Sequence, residues 1–268
     1  MIKIVNKNEI ITKYINGVSI RSISKELHIN RKKISKILKE NNIEIRKQEQ
    51  TSRIYNCNEN YFEVIDDEFK AYWLGFIYAD GFIESKRKHG SQKFGITISK
   101  VDENHLYKLS NCLNSNYEIK TYIGSGYNEN GKFSKLLITS QKLVNDLKDK
   151  GVVENKTNII TFPYFLNKDL IRHFIRGYFD GDGSIYVETK NNAYSISFTG
   201  TYEILEGMNF YFNKNNKISK YKNKNAYELH YGGNLQVKKI LDIIYINSNI
   251  YLDRKYDKYK ELIKYIER

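Results

Sequence analysis

The chain has 268 residues, enough for a large core and for two or three domains. Its 44 Lys and Arg against 31 Asp and Glu give a net charge of +13, which favours a polyanionic partner, either nucleic acid or an anionic membrane surface. No apolar run approaches the ~20 residues that span a bilayer, and the separated Cys57 and Cys112 argue against a disulfide framework or a cysteine zinc site.

The N-terminal stretch MIKIVNKNEI lacks the apolar core of a signal peptide. We therefore expect an intracellular protein, in the cytoplasm of a bacterium or a phage-infected cell, or in an organelle. The 23 Tyr, with many Lys, Asn and Ile, would suit an aromatic and basic nucleic-acid surface. An AT-rich gene encodes the same residues, so composition permits nucleic-acid binding without establishing it.

Residues 1–50 are predicted to form a small all-helical domain. NEIITKYIN favours a short helix that ends near Gly17, and Ser19 suits the N-cap of a second helix. Asn30 suits the N-cap of a third helix, whose apolar residues share one face: Ile34, Ile37 and Leu38. Two short helices joined by a tight turn resemble a helix-turn-helix, whose second helix reaches base edges in the major groove.

The basic residues at the start of this third helix are the predicted DNA contacts: Arg31, Lys32, Lys33 and Lys36. The alternative is an ordinary three-helix domain with a solvated basic face. The net charge and the match in spacing favour DNA binding. The stretch IRKQEQTSR, residues 45–53, has no apolar periodicity, and we predict a linker over residues 51–60.

The rest of the chain contains a weak internal repeat. Four landmarks recur in the same order, 94 to 102 residues apart: Asp80 and Asp182, the strands FGITIS and YSISFT, the helices QKLVNDL and LQVKKIL, and Lys156 and Lys255. Each half reads helix, strand pair, helix, strand pair, helix. We predict an α+β fold with two pseudo-symmetric halves, residues 61–164 and 165–268.

The first helix of each half ends in a carboxylate. WLGFIYADG, residues 73–81, ends with Asp80 before Gly81, and IRGYFDGDG, residues 175–183, ends with Asp182 before Gly183. An acid at a helix C-terminus lies beside the negative end of the macrodipole, where cations are preferred. We expect both glycines to adopt the left-handed conformation that often follows a helix end.

Small residues recur inside both helices, at Gly75 and Ala79 in the first and at Gly177 and Gly181 in the second. Glycine inside a helix costs ~1 kcal/mol relative to alanine, so a packing reason is expected. Residues four apart share a face, which gives each helix a stripe of small side chains. The stripes predict two helices packed side by side, with the two terminal acids as neighbours.

Two adjacent carboxylates repel each other, and the helix ends add to that cost. A divalent cation held between them turns this repulsion into a net attraction. Mg²⁺ prefers carboxylate and carbonyl oxygens and keeps water and substrate phosphate as further ligands. The pair therefore predicts metal-assisted phosphodiester hydrolysis. The alternative, in which each Asp merely caps a turn before its glycine, is the weaker account for two copies in phase.

These two nine-residue stretches resemble the paired signature of the LAGLIDADG homing endonucleases, over roughly residues 60–268. The resemblance implies the single-chain form, in which two halves make one DNA-cleaving enzyme. It also implies that the motif helices form the interface, that two sheets form a saddle on the DNA, and that the final acid of each motif binds metal near a scissile phosphate.

The resemblance implies the following metal ligands: the carboxylates of Asp80 and Asp182 and the carbonyl oxygens of Ala79 and Gly181. The same two aspartates would be catalytic. The family also places a basic residue near each active site, and Lys156 and Lys255 occupy matching late positions of the two halves. Each lysine would polarise the attacking water or neutralise charge on the phosphate.

The first motif departs from the family word at Tyr78, where the motif has its first acid, whereas Asp180 retains that acid. Arg176 replaces a small residue, and its direction, to solvent or to the cleft, stays open. Residues 126–132, GYNENGK, approximate a phosphate-binding loop, but Phe133 replaces the hydroxyl residue that would bind Mg²⁺. We predict a β-hairpin turn there instead.

These observations predict a site-specific double-strand DNA endonuclease that uses Mg²⁺, with Mn²⁺ as a substitute, and acts as a monomer on duplex DNA. The alternative is a non-cleaving protein on the same fold, either an intron RNA maturase or a DNA-binding regulator. Retention of both terminal acids favours cleavage. The initial Met and the ending IKYIER, without a terminal Asn, argue against an intein.

Overall fold

The structure, a computed structural model, describes residues 7–45, 55–85, 91–124, 131–222 and 224–267. The chain divides into two compact units between Asn56 and Cys57. This division lies in the predicted linker, whose first residues, 51–54, fall outside the described ranges. Within those ranges no helix has both the length and the apolar character needed to cross a membrane.

The first unit contains three helices: α1 (Lys7–Ile15), α2 (Ile20–Leu27) and α3 (Arg31–Glu40). Both predicted N-caps are present, because Ser19 Oγ accepts from the amide of Ser22 at 3.1 Å and Asn30 Oδ1 accepts from the amide of Lys32 at 2.8 Å. Apolar side chains from all three helices form a separate core: Ile10, Tyr14, Ile23, Ile34, Ile37 and Leu38. The small all-helical domain is therefore present.

The second unit consists of two α+β halves, and the predicted order of elements is confirmed in both. The first half contains α4 (Glu68–Asp80), β1 (Gly81–Ile83), β2 (Lys93–Ser99), α5 (Glu103–Cys112), β3 (Ile119–Ile123), β4 (Lys132–Thr139) and α6 (Gln141–Asp149). The second half contains α7 (Lys168–Asp182), β5 (Gly183–Glu188), β6 (Ala193–Gly200), α8 (Tyr202–Tyr211), β7 (Ile218–Lys220), β8 (Tyr227–Gly232), α9 (Asn234–Tyr245) and the additional α10 (Asp253–Ile266).

Each half builds one antiparallel sheet of four strands, in the orders β1-β2-β4-β3 and β5-β6-β8-β7. Side chains alternate between the two faces of a strand, and the inward faces carry buried apolar residues such as Phe94 and Ile96 in β2 and Ile196 and Phe198 in β6. The inward faces pack with the helices into one core that both halves share. The outward faces are thereby left open to a partner.

The strands that flank the predicted hairpin turn pair with each other, with Ile123 of β3 opposite Lys132 of β4. The amide of Gly124 donates to the carbonyl oxygen of Gly131 at 2.7 Å, which extends the ladder by one further pair. Most of the predicted turn lies at residues 125–130, outside the described residues. The described flanks have the pairing of a hairpin.

Candidate active site

The two motif helices, α4 and α7, lie in direct backbone contact. A Cβ added to Gly75 would lie 1.9 Å from the carbonyl oxygen of Phe174, and one added to Gly177 would lie 1.9 Å from that of Tyr72. No larger residue fits at either position without moving a helix. The predicted packing of the small-residue stripes is therefore present.

This packing brings the ends of the two helices together. A Cβ added to Gly181 would lie 2.3 Å from the Cβ of Ala79 and 3.2 Å from a carboxylate oxygen of Asp80. Asp80 is the last residue of α4 and Asp182 is the last residue of α7. The two terminal acids therefore lie side by side, at the end of a helix pair in which residues 71–78 and 174–180 are buried.

Asp80 is partly buried and Asp182 is exposed, although protein surrounds both carboxyl groups closely enough to raise their pKa values. Burial, followed by the negative charge of Asp182, raises the pKa of Asp80 to about 6. Burial also raises the pKa of Asp182, against the opposing charges of Lys156 and Lys255. The site therefore disfavours two negative charges unless additional positive charge is supplied.

One lysine lies at the end of α4. Lys156 belongs to a short 3₁₀ helix, Lys156–Asn158, and only 6% of it is exposed. Its Nζ donates to the carbonyl oxygen of Ala79 at 2.8 Å. Burial lowers the pKa of this lysine, while the charges of Asp182 and Asp80 act to raise it. The ammonium group thus offsets the negative end of the α4 dipole.

The other lysine lies at the end of α7. Lys255 is in the first turn of α10, and only 3% of it is exposed. Its Nζ donates to carbonyl oxygens of the last turn of α7: Phe179 at 2.5 Å, Asp180 at 2.9 Å and Gly183 at 2.5 Å. Burial lowers its pKa to about 8, although the Asp180 charge acts to raise it. A buried lysine therefore contacts the C-terminal end of each motif helix, as the matching positions of Lys156 and Lys255 in the sequence predict.

Two of the predicted metal-binding atoms already accept hydrogen bonds from these lysines. The carbonyl oxygen of Ala79 contacts Lys156 at 2.8 Å, and that of Gly181 contacts Lys255 at 3.4 Å. A carbonyl oxygen has two lone pairs, so one hydrogen bond does not prevent metal binding. The role of these oxygens as ligands stays a prediction.

The donor set fits a hard divalent cation. The described residues contain no cluster of three or more His, Cys, Asp or Glu side chains, which disfavours a protein cage such as a structural zinc site. Two carboxylates with nearby carbonyl oxygens match the sparse oxygen ligation of Mg²⁺, which keeps water and substrate phosphate as its other ligands. Asp80 and Asp182 would hold such an ion.

The expected left-handed conformation of the two motif glycines is wrong. Gly81 has φ −75° and Gly183 has φ −91°, both in the extended region, because each residue passes directly into a strand. The reason for glycine is space. A Cβ at Gly81 would lie 2.6 Å from the Ile77 side chain, and one at Gly183 would lie 2.1 Å from the Phe179 ring.

Arg176, whose direction the sequence leaves open, points neither to solvent nor to the acids. Its side chain is fully buried and pairs with Glu68 at 2.6 Å, near the start of α4. It also donates to the carbonyl oxygens of Ile244 and Ile250 in the second half. Arg176 therefore ties the two halves together at the far end of the helix pair.

Sequence reasoning missed a buried polar network around Asp180. Its carboxylate accepts hydrogen bonds from the Tyr72 hydroxyl at 2.7 Å, the Tyr245 hydroxyl at 2.5 Å and the Leu252 amide at 2.7 Å. His105 lies next to this network, with Nε2 2.8 Å from the Tyr72 hydroxyl. The only sequence signal was that Asp180 retains the first acid of the motif.

The predicted DNA contacts lie in the first unit, on the exposed side of α3. Arg31, Lys32, Lys33 and Lys36 are all exposed, opposite the buried face formed by Ile34, Ile37 and Leu38. The turn before α3 passes through His28, whose φ of 54° is left-handed. The geometry of two helices and a tight turn agrees with the sequence, while their DNA contacts stay a prediction.

The outward faces of the two sheets in the second unit differ in charge. The first sheet presents Lys93, Lys120 and Lys135, of which Lys93 pairs with Glu84, directly after β1, and Lys120 with Glu118, directly before β3, each at 3.9 Å. The second sheet presents Glu188 and Glu228, and its described strands place no Lys or Arg there. The two surfaces are therefore inequivalent toward a polyanion.

A family model described as a LAGLIDADG-like domain matches residues 67–150 and 169–245. These two stretches correspond to the two halves, and each begins within or next to a motif helix.

Among curated proteins, the chain is 30% identical over 132 residues to the DNA-directed RNA polymerase subunit Rpo1C of Methanocaldococcus jannaschii. It is 26% identical over 287 residues to a probable translation initiation factor IF-2 of the same organism. The matches cover 47% and 94% of this chain but only 14% and 23% of those proteins. The resemblance therefore concerns a segment of each relative.

Among solved structures, the fold resembles a LAGLIDADG meganuclease, I-AabMI, bound to uncleaved DNA, with a TM-score of 0.51 and 14% identity over 74% of this chain and 90% of the other. It also resembles the LAGLIDADG homing endonuclease I-SmaMI bound to cleaved DNA, with a TM-score of 0.50 and 15% identity over 75% and 88% of the two chains. At these identities the likeness concerns the fold. Because the family model covers both halves, the chain belongs to the LAGLIDADG-like family, in its single-chain form with two motifs.

Proposed function

We propose that this protein is a site-specific, Mg²⁺-dependent endonuclease that cleaves both strands of duplex DNA as an intracellular monomer. The observation that carries the proposal is the convergence of two carboxylates with raised pKa values, Asp80 and Asp182, at the joined ends of α4 and α7, with a buried lysine on each helix end. Such a pair is costly for the fold alone and suits metal-assisted phosphodiester hydrolysis.

Each group of the site has a distinct task in this proposal. Asp80 and Asp182 bind the cation, which when bound supplies Lewis-acid activation of water and stabilisation of the leaving oxygen. Mn²⁺ can substitute for Mg²⁺, because both accept oxygen ligands. With a pKa of about 8, Lys255 is mostly charged at neutral pH and neutralises charge that develops on the phosphate. Lys156 does the same on the other helix.

Duplex DNA is the proposed partner. The net charge of +13 and the three lysines on the outward face of the first sheet favour a phosphate backbone. The second sheet, with Glu188 and Glu228 outward, contributes no phosphate attraction from its strands and suits base contacts instead. The basic start of α3 adds contacts in the major groove, as a helix-turn-helix does.

A non-cleaving protein on the same fold, an intron RNA maturase or a DNA-binding regulator, is the alternative. Binding alone gives no use for two adjacent carboxylates beside a phosphate backbone, because without a cation they repel it. Both acids are retained here, at a cost to the fold that their raised pKa values indicate. We therefore favour cleavage over binding alone.

The experiment starts from a library of random DNA duplexes, because the target is unknown. Duplexes bound by the full chain in Ca²⁺ are amplified and sequenced, and the enriched duplex is then incubated with the protein in Mg²⁺, in Mn²⁺ or in EDTA. The proposal predicts double-strand breaks at one position in Mg²⁺, none in EDTA and none with Asp182→Asn. Tight binding without breaks in either metal would contradict it, and intron RNA would then be tested as the ligand.

A further inference from the structure

Tyr78 and Asp180 occupy the same position of the two motifs, 102 residues apart. The motifs differ in chemistry at this position, because one has a phenol and the other a carboxylate. Each side chain reaches a main-chain atom in the segment that precedes the buried lysine of its own half. The two residues thus make comparable contacts despite this difference in chemistry.

In the first half, the Tyr78 hydroxyl donates a hydrogen bond to the carbonyl oxygen of Lys150, at the end of α6. The next residue, Gly151, has φ +91°, and a Cβ there would lie 2.4 Å from the Tyr78 oxygen. Glycine is required both for this backbone conformation and for the approach of the ring. Lys156 follows five residues later, after the buried Val152.

In the second half, a carboxylate oxygen of Asp180 accepts from the amide of Leu252 at 2.7 Å. Leu252 is the residue directly before α10, and Lys255 lies in the first turn of that helix. The amide of Lys255 in turn donates to the Leu252 carbonyl oxygen at 3.0 Å. Tyr72 and Tyr245 occupy the other acceptor sites of the carboxylate.

We infer that Tyr78 and Asp180 are positioning residues, which hold Lys156 and Lys255 respectively against the ends of the motif helices. The opposite chemistry of the two residues follows from the atom that each must hold. A carbonyl oxygen, as at Lys150, requires a donor, and a phenol supplies one. An amide, as at Leu252, requires an acceptor, and a carboxyl oxygen supplies one.

The position of each lysine can be measured without any cleavage activity, by reductive methylation of the full chain with formaldehyde and a borane, followed by quantitative mass spectrometry. Asp180→Leu, which leaves the Leu252 amide without its acceptor, is expected to raise the methylation rate of Lys255 about tenfold, the effect of losing one buried hydrogen bond, and to leave that of Lys156 unchanged. Tyr78→Phe is expected to raise the methylation rate of Lys156 and to leave that of Lys255 unchanged. The rates are compared over a pH series, so that a change in the Lys255 pKa on loss of the Asp180 charge is separated from a change in its exposure.

The matched control is Tyr259→Phe. It also removes one hydrogen bond of α10, from the Tyr259 hydroxyl to Asp242 at 2.7 Å, but does so one turn beyond Lys255. It should leave the methylation of both lysines unchanged. If all three variants expose both lysines equally, or if none exposes either, the inference is wrong. Tyr78→Phe removes a single oxygen and keeps the test decisive where Asp180→Leu does not fold.

A second substitution tests the donor argument directly. Tyr78→Asp restores the acid of the family word, but a carboxylate cannot donate to the Lys150 carbonyl oxygen. We expect Tyr78→Asp to expose Lys156 more than Tyr78→Phe does. If Tyr78→Asp protected Lys156 as well as the wild-type residue, the donor requirement would be refuted.

The consequence for cleavage rests on the proposed function. Each positioning residue serves one lysine, so Asp180→Leu and Tyr78→Phe should slow opposite strands of the selected duplex and yield nicked DNA with opposite strand labels. Equal slowing of both strands by each variant would indicate a general loss of structure and would overturn the inference. A wild-type chain that does not cleave would overturn the proposed function alone, because methylation still tests the positioning.

Discussion

Replacement of Asp80 by Asn is expected to stabilise the protein in the absence of divalent metal. Burial and the neighbouring Asp182 charge raise the Asp80 pKa from an ordinary 3.8 to about 6. The folded state therefore holds the Asp80 proton more tightly than the unfolded chain does. This proton contributes fully to the free energy of unfolding below pH 3.8, and its contribution is lost as the pH rises through 6. Ionisation of Asp80 then costs the folded state ~1.6 kcal/mol at pH 5 and ~3 kcal/mol at pH 7.5, a cost that neutral Asn does not have.

The assay is urea denaturation of both proteins at pH 5 and pH 7.5, in EDTA and in MgCl₂. In EDTA the variant should exceed the wild type in free energy of unfolding, and the margin should roughly double between the two pH values. Mg²⁺ should then stabilise the wild type and leave the variant unchanged. Asp149→Asn, on the exposed side of α6, is the control and should change neither quantity. A variant no more stable than wild type at pH 7.5 would refute the reasoning.

Three further substitutions test the packing of the two motif helices and of the buried polar residues around them, by thermal and urea denaturation. Gly177→Ala should lower stability by ~1–3 kcal/mol despite the better helix propensity of Ala, because the added Cβ would lie 1.9 Å from the Tyr72 carbonyl oxygen; a stabilised variant would contradict the close contact. Glu68→Gln should cost ~3 kcal/mol, since it leaves the fully buried Arg176 charge uncompensated; no loss would show that the ion pair is dispensable. Burial lowers the pKa of His105 to about 3, so the contribution of neutral His105 to the free energy of unfolding is complete above pH 6.5 and has fallen by ~2 kcal/mol at pH 5. His105→Phe should remove that part of the acid sensitivity. An unchanged pH dependence of stability would contradict this assignment.

Features that depend on local sequence were predictable. The N-caps Ser19 and Asn30 follow from residue type next to apolar periodicity, and both caps form. The helix contact was also predictable, because Gly75 and Gly177 have no local reason to be inside helices and so require a close neighbour. The internal repeat then assigned one lysine to each motif helix, because Lys156 and Lys255 occupy matching positions of the two halves.

Features that depend on distant partners were not predictable. Arg176 and Glu68 are 108 residues apart, and Asp180 and Leu252 are 72 apart, so nothing in either neighbourhood indicates the contact. The conformation after the motif helices was predicted wrongly for a different reason. Glycine after a helix commonly signals a left-handed residue, but Gly81 and Gly183 are extended because each begins a strand, and glycine is needed there for space.

The central claim is that Asp80 and Asp182 jointly hold the cation that cleaves DNA, and it is tested most directly by single-turnover cleavage of the selected duplex in Mg²⁺. Asp80→Asn, Asp182→Asn and the control Asp149→Asn, at an exposed residue of α6, are compared with wild type. The account predicts that neither motif variant yields linear product while both still bind the duplex in Ca²⁺, and that Asp149→Asn cuts both strands. Double-strand cleavage at the wild-type rate by either motif variant would contradict it.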